Sequence, residues 1–151
     1  MTDLPSLAAA QLKDLEWLVG QWVDDNAKAD IVVNVHWAAN KAFLLLDYTL
    51  KLEGGDPLDV TVRVGWDAAN GRIRSWTFDS QGGFGEGFWQ KNGKKWEVGA
   101  SGVLPDGGIG GSSQTYEFVD ANTLIWRATD REVDGQPLAD VEVKFVRKAG
   151  K

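Results

Sequence analysis

The eight tryptophans of this 151-residue chain stand at positions 17, 22, 37, 66, 76, 89, 96 and 126, and their spacing limits the folds open to it. From Trp37 onward they fall about one to a segment of alternating polar and apolar residues, with Gly, Asn-Gly and Asp-Gly turns between segments. An indole combines a very large apolar surface with an N–H that needs a partner. Rings distributed in this way imply a many-stranded antiparallel sheet that closes around an aromatic interior.

The alternation predicts strands over 20–24, 30–38, 42–52, 58–66, 71–79, 84–92, 94–102, 112–119, 122–129 and 139–147. Val60, Val62, Val64 and Trp66 share one face and Asp59, Thr61 and Arg63 the other; Val141, Val143 and Phe145 oppose Glu142 and Lys144. Ala39-Asn40, Gly54-Gly55-Asp56-Pro57, Asn70-Gly71, Asn92-Gly93 and Asp134-Gly135 read as hairpin connections. Pro105-Asp106-Gly107-Gly108 opens a longer Gly-rich loop reaching Gly111. Ahead of the strands, residues 6–19 read as one helix. Ser6 is its N-cap, Leu7, Leu12, Leu15, Trp17 and Leu18 form its apolar face, and Gly20 is its stop.

About ten sequential strands with short turns make an up-and-down meander. Left open, such a sheet has two unpaired edges, and closure removes them. The expected fold is therefore an all-β antiparallel barrel of about ten strands with one short N-terminal helix near one mouth. It forms a single domain over 1–151, the helix spanning about 6–19 and the barrel about 20–147.

Sixteen basic against 22 acidic residues give a net charge of −6, which argues against nucleic acid or an anionic membrane as partner. Lys91, Lys94 and Lys95 form the longest basic cluster and read as a solvated hairpin tip. With no cysteine, disulfides, thiolate nucleophiles and zinc–thiolate sites are excluded. No signal-peptide pattern is visible at Met1-Thr-Asp-Leu-Pro and no apolar run reaches membrane-spanning length, so the expected compartment is the cytoplasm.

The segment Leu15-Glu16-Trp17-Leu18-Val19-Gly20-Gln21-Trp22 has the form L-x-W-L-x-G-x-W. It resembles the opening of bacterial calycin-like domains of unknown function, akin in shape to lipocalins and fatty-acid-binding proteins. Gly65-Trp66-Asp67, Ile73-Arg74-Ser75-Trp76, Phe78-Asp79-Ser80 and Gly82-Gly83-Phe84-Gly85 look like the same group. Similar domains often follow a SnoaL-like domain. The resemblance implies a calycin-like barrel in which Gly20 permits a tight entry to the first strand. Trp22 then plugs the closed end beneath a late arginine, Arg127 or Arg147. Haem-binding nitrobindins share the barrel type and use an axial histidine near the C-terminus. The one histidine here is His36, so no cofactor is expected.

No complete catalytic motif is present. His36 can serve as a base or ligand, but it lacks the partners and spacing of a metal site, and no metal is expected. Asp79 and Glu86 bracket the turn Ser80–Gly85 and can divide acid and base roles if one is buried; alternatively Asp79 caps the turn and Glu86 is solvated. Arg63, Arg74 and Arg127 fall in mid-strand. Arg74 shares a face with Trp76 and Phe78, either as an interior anchor for a ligand carboxylate or as an outer cation–π pair. Thr49, Thr61, Ser75, Thr77, Gln114 and Thr129 are the polar groups a wet pocket would need.

The function these residues favour is a small-molecule binding module holding an apolar or aromatic ligand inside the barrel. Trp37, Trp76, Phe78, Phe88 and Trp126 would supply contact area, and Arg74 or Arg63 the anchor. The alternatives are a filled structural barrel that forms a homodimer through a sheet face, and a simple proton-transfer enzyme (isomerase, lyase or cyclase). In the enzyme, Asp79, Glu86 or His36 would be the base and Arg74 would stabilise an oxyanion.

Overall fold

Leu12, Leu15 and Leu18 recur every three residues, the period of a 3-10 helix, in which side chains at i and i+3 eclipse. The computed structural model, which describes residues 4–26, 30–51 and 54–148, follows that period. An α-helix, α1 (Leu4–Leu12), passes into a 3-10 helix over Lys13–Leu18. The three leucines are buried and Leu7 is exposed. The single helix expected over 6–19 is thus an α-helix and a tighter coil in series, and Ser6 falls inside α1 instead of ahead of it.

Eleven strands follow: β1 (Gly20–Asp24), β2 (Ile31–Trp37), β3 (Phe43–Leu50), β4 (Leu58–Asp67), β5 (Arg72–Asp79), β6 (Phe84–Asn92), β7 (Lys95–Val103), β8 (Ile109–Asp120), β9 (Thr123–Val133), β10 (Gln136–Pro137) and β11 (Val141–Arg147). From β1 to β9 each pairs antiparallel with the next. β11 then pairs with both β9 and β1, and β10 is a two-residue hairpin return on β9. Ten strands therefore close a meander into an all-β barrel. Closure leaves none of those ten as an edge.

Two boundaries differ from the sequence expectation. The Gly-rich stretch to Gly111 is not all loop. β8 begins at Ile109, and Gly110 and Gly111 pair with Gly102 and Ser101 on one side and Val133 and Glu132 on the other. Glycine carries no side chain to show the period of two, so composition hides the strand. β9 likewise runs on to Val133, where Asp134 and Gly135, both at positive φ, make the turn into β10. Residue 52, the expected end of the third strand, lies outside the described residues.

The phase of alternation sets the interior. Val33 and Val35, Leu44 and Leu46, Val62 and Val64, and Ile73 and Ser75 face in. One end is shut by the helical segment and Trp22. The Trp22 ring is 1% exposed and its Nε1–H donates to the Leu18 carbonyl at 2.9 Å. The Arg147 guanidinium lies over that ring, 4.3 Å from its centroid. It donates to the carbonyls of Val19 (2.5 Å), Trp17 (2.9 Å) and Ala121 (3.0 Å). Gly20, at φ +133°, sits where a Cβ would strike the same guanidinium. Glycine is therefore required on both counts.

Arg147 thus ties the last strand to the chain entering the first. Its replacement by Met leaves those carbonyls without their donor and is expected to cost about 2–4 kcal/mol in urea denaturation, with Arg147→Lys recovering under half. A loss below about 0.5 kcal/mol, the range of ordinary surface substitutions, would show that the plug holds without it.

Candidate functional site

The two halves of the barrel are filled differently. Toward the plug, Trp89 stacks on Tyr116 (centroids 5.1 Å, 18° between planes) and packs beside Trp96 at 6.3 Å. Its Nε1–H donates to Ser75 Oγ at 2.9 Å. Toward the other end, the inward positions of β6, β7 and β8 include Gly85, Gly102 and Gly110, paired across the strands with Thr77, Gly85 and Gly102 respectively. Those strands supply little side-chain volume there, and the barrel is hollow. An inner chamber of about 210 Å³ is lined by Ile31, Tyr48, Leu50, Val60, Val62, Thr77, Gln114, Tyr116, Trp126 and Phe145. A second, outer space of about 260 Å³ shares Thr77 and Gln114 with it and leads past Asp79, Arg131, Glu132 and Leu138.

Tyr48 and Tyr116 are the only tyrosines of the chain, and their hydroxyls are hydrogen-bonded to each other in the chamber wall. Burial pushes the Tyr48 phenol well above its ordinary value, reinforced by the neighbouring Tyr116. Burial likewise pushes the Tyr116 phenol up to about 12, with Tyr48 and the nearby Trp126 indole acting in the opposite direction. Trp126 Nε1 is buried near the Tyr116 hydroxyl and, among the described residues, makes no well-formed hydrogen bond. Among those residues no charged side chain lines the inner chamber.

Several residues singled out from sequence lie elsewhere. Because Val62, Val64, Ile73 and Ser75 face in, their neighbours Arg63, Arg74, Trp76 and Phe78 face out, and so do Glu86 and Phe88. Arg74 is held between Trp76 (5.1 Å) and Phe88 (5.0 Å), bonded to Asp67 at 3.3 Å and also to Glu86. Arg63 lies 4.8 Å from the Phe43 ring. The outer cation–π arrangement is the one the structure shows, and these residues do not line the interior. Of the seven proposed ligand contacts, Trp126 lines the inner chamber. Trp37 sits by the plug, its Nε1–H donating to Glu16 Oε1 at 3.0 Å.

The three candidate bases do not form one site: Asp79 and Glu86 both border the outer space, and His36 lies apart from them. His36 Nε2 is 3.0 Å from Asp47 Oδ2 on the outer surface. Asp79 Oδ1 accepts from the backbone N–H groups of Gln81 (2.8 Å) and Gly83 (3.0 Å), the turn-capping role, while Glu86 pairs with Arg74 outside. Arg127 is not the plug arginine: it is outside, bonded to Glu117 (2.7 Å) and Glu142 (2.8 Å), and holds the Glu117 carboxyl below its usual range. Of the polar strand residues, Thr77 and Gln114 line the chamber and Ser75 serves Trp89. Among the described residues no three His, Asp or Glu side chains gather as a metal site. Reading by residue type passes over Tyr48 and Tyr116. The signal that finds them is phase, since Tyr48 continues the inward series of Leu44 and Leu46.

No protein-family model matches the chain, and no curated protein sequence matches it. The fold and site define a closed ten-stranded barrel, plugged at one end and hollow toward the other.

The tyrosine pair has two measurable consequences. Removing either hydroxyl orphans the other, so Tyr48→Phe and Tyr116→Phe should each cost about 1–3 kcal/mol, while the double variant should cost clearly less than the sum. Additive losses would show that the hydroxyls do not act as a pair. The second concerns pH. Unfolded phenols titrate near pH ~10, so the folded state keeps protons that the unfolded chain sheds. This contribution to stability is whole below about pH 10 and is lost as pH rises toward 12. Native protein should show no phenolate absorbance at about pH 10.5, where unfolded phenols are largely ionised; early ionisation would contradict the burial of the pair.

Proposed function

We propose that this barrel is a small-molecule binding module that holds an apolar or aromatic ligand in its inner chamber. The observation that carries the reading is the pairing of a filled half with a hollow half: Trp22, Trp89 and Trp96 pack the plugged end, while the other end keeps about 210 Å³ lined largely by apolar and aromatic side chains. A cavity of about 150 Å³ is already enough to take benzene. The polar groups in its wall are few, as is usual for ligand sites. The Trp22–Arg147 plug supports reading the chain as calycin-like, in line with the resemblance of its opening segment. The outward ion pairs of Arg74 and Arg127 support a water-facing barrel, since a membrane-spanning one carries an apolar band on its outer face.

A second reading, assembly through the outer surface, has one observation of its own. Phe78 pairs with Phe84, Phe84 with Val103 and Val103 with Ile109, a row of outward apolar residues across four strands near the open end. Phe78, Phe84 and Ile109 are 57%, 52% and 58% exposed.

Native mass spectrometry of the purified protein tests both readings at once. A bound small molecule that is lost on denaturation, and lost again when Val60→Trp fills the chamber, supports binding. A variant that stays folded and keeps the adduct would remove the chamber from consideration. Val60→Trp itself is expected to cost about 1–3 kcal/mol through overpacking. A dimer abolished by Phe84→Lys would favour assembly.

A further inference from the structure

The polar groups of the inner chamber are unbalanced in a way that defines the ligand. The two tyrosine hydroxyls carry one hydrogen each and share one hydrogen bond, so one O–H hydrogen remains for a third partner. Trp126 Nε1–H, on the same wall, is buried beside the Tyr116 hydroxyl and makes no well-formed hydrogen bond among the described residues. An indole nitrogen can only donate. Two donors therefore stand together on one wall of a chamber whose remaining lining is apolar apart from Thr77 and Gln114, the latter donating through Nε2 to Ser112 Oγ at 3.2 Å. Buried donors of this kind are costly unless something accepts from them.

Charge narrows the class. Among the described residues the chamber wall has no cation to meet a carboxylate, because Arg63 and Arg74 stand on the outer face. It has no anion to meet an ammonium group either. At the entrance, where Glu86 is already paired with Arg74, Asp79 and Glu132 outnumber Arg131, whose Nη1 donates to the Ala139 carbonyl. That field disfavours an approaching anion.

We infer, building on the binding reading above, that the inner chamber takes an uncharged molecule of about one ring that carries a single acceptor oxygen, such as an aryl ketone, lactone or ether. The oxygen receives hydrogen bonds from Trp126 Nε1–H and from the free hydroxyl of the Tyr48–Tyr116 pair, while the ring lies against Val60, Val62 and Phe145. An oxygen with two lone pairs matches two donors.

The test uses ¹⁵N-labelled full-length protein with its indole N–H signals assigned through bonds. Acetophenone, toluene, benzoate and benzylamine share one ring and differ in the group it bears. Acetophenone should bind about tenfold tighter than toluene or better, each of the two net hydrogen bonds being worth several-fold, and should move the Trp126 indole signal downfield. Toluene should leave that proton nearly unmoved, and benzoate should not bind. Equal affinity for toluene and acetophenone, or an unmoved indole, would overturn the acceptor assignment and leave the cavity reading intact. So would a preference for benzoate or benzylammonium. If none of the four perturbs the signals of Val60, Val62 and Trp126, both readings fall together.

Discussion

Everything above the floor of this barrel depends on the contact between Arg147 and Trp22. One end of this ten-stranded barrel is shut by the helical segment and Trp22, and one guanidinium holds that closure by covering the indole and collecting three backbone carbonyls. Those carbonyls belong to the segment entering β1 and to the turn between β8 and β9. The arginine itself ends β11, so the contact joins parts of the chain that otherwise meet only through the sheet. A lysine would bring the charge without the planar fork. With this end held shut, Trp89, Trp96 and Tyr116 can stack in a dry interior and form a rigid base for the space beyond.

That space exists because volume is distributed unevenly around the barrel. The plugged half receives large rings from β1, β6, β7 and β8, whereas further along the same strands the inward positions are held by Gly85, Gly102 and Gly110. β6 and β7 approach so closely at Gly85 and Gly102 that a Cβ on either would press on the opposite backbone. The same residues therefore allow the strand contact and line the outer space that adjoins the chamber. The polar atoms within it are held by rigid neighbours: Tyr116 lies flat against Trp89, which is tied to Ser75.

Much of the fold was legible in the sequence, because alternation and turn chemistry act locally. The strands at 20–24 and 84–92 coincide with the observed ones, and most others agree within a residue or two. What alternation cannot supply is which of two faces points inward when both are aromatic. β5 shows why. Arg74, Trp76 and Phe78 look like an interior, yet Ile73, Ser75 and Thr77 are the ones that face in. The outer rings are rendered compatible with water by arginines stacked on them, an arrangement that depends on Phe43, Phe88 and Asp67 from neighbouring strands. The tyrosine pair is equally non-local, its members 68 residues apart. Trp126 was legible as a contact residue, but its unspent N–H emerges only from the packing around it.

The route of the chain gives the seam a special place in folding. Every barrel strand from β1 to β9 lies beside its neighbour in sequence, so each hairpin can form as soon as its two strands exist. β11 is the exception: it must span from β9 back to β1, and Arg147 reaches a carbonyl 128 residues upstream. During synthesis a chain that has made β9 but not β11 is an open sheet with two bare edges and an uncovered Trp22. One short strand then satisfies both edges and seats the lid over the indole. Until it arrives those two edges are the part of the chain most open to pairing with another molecule, and its arrival closes the ribbon into a barrel shut at one end.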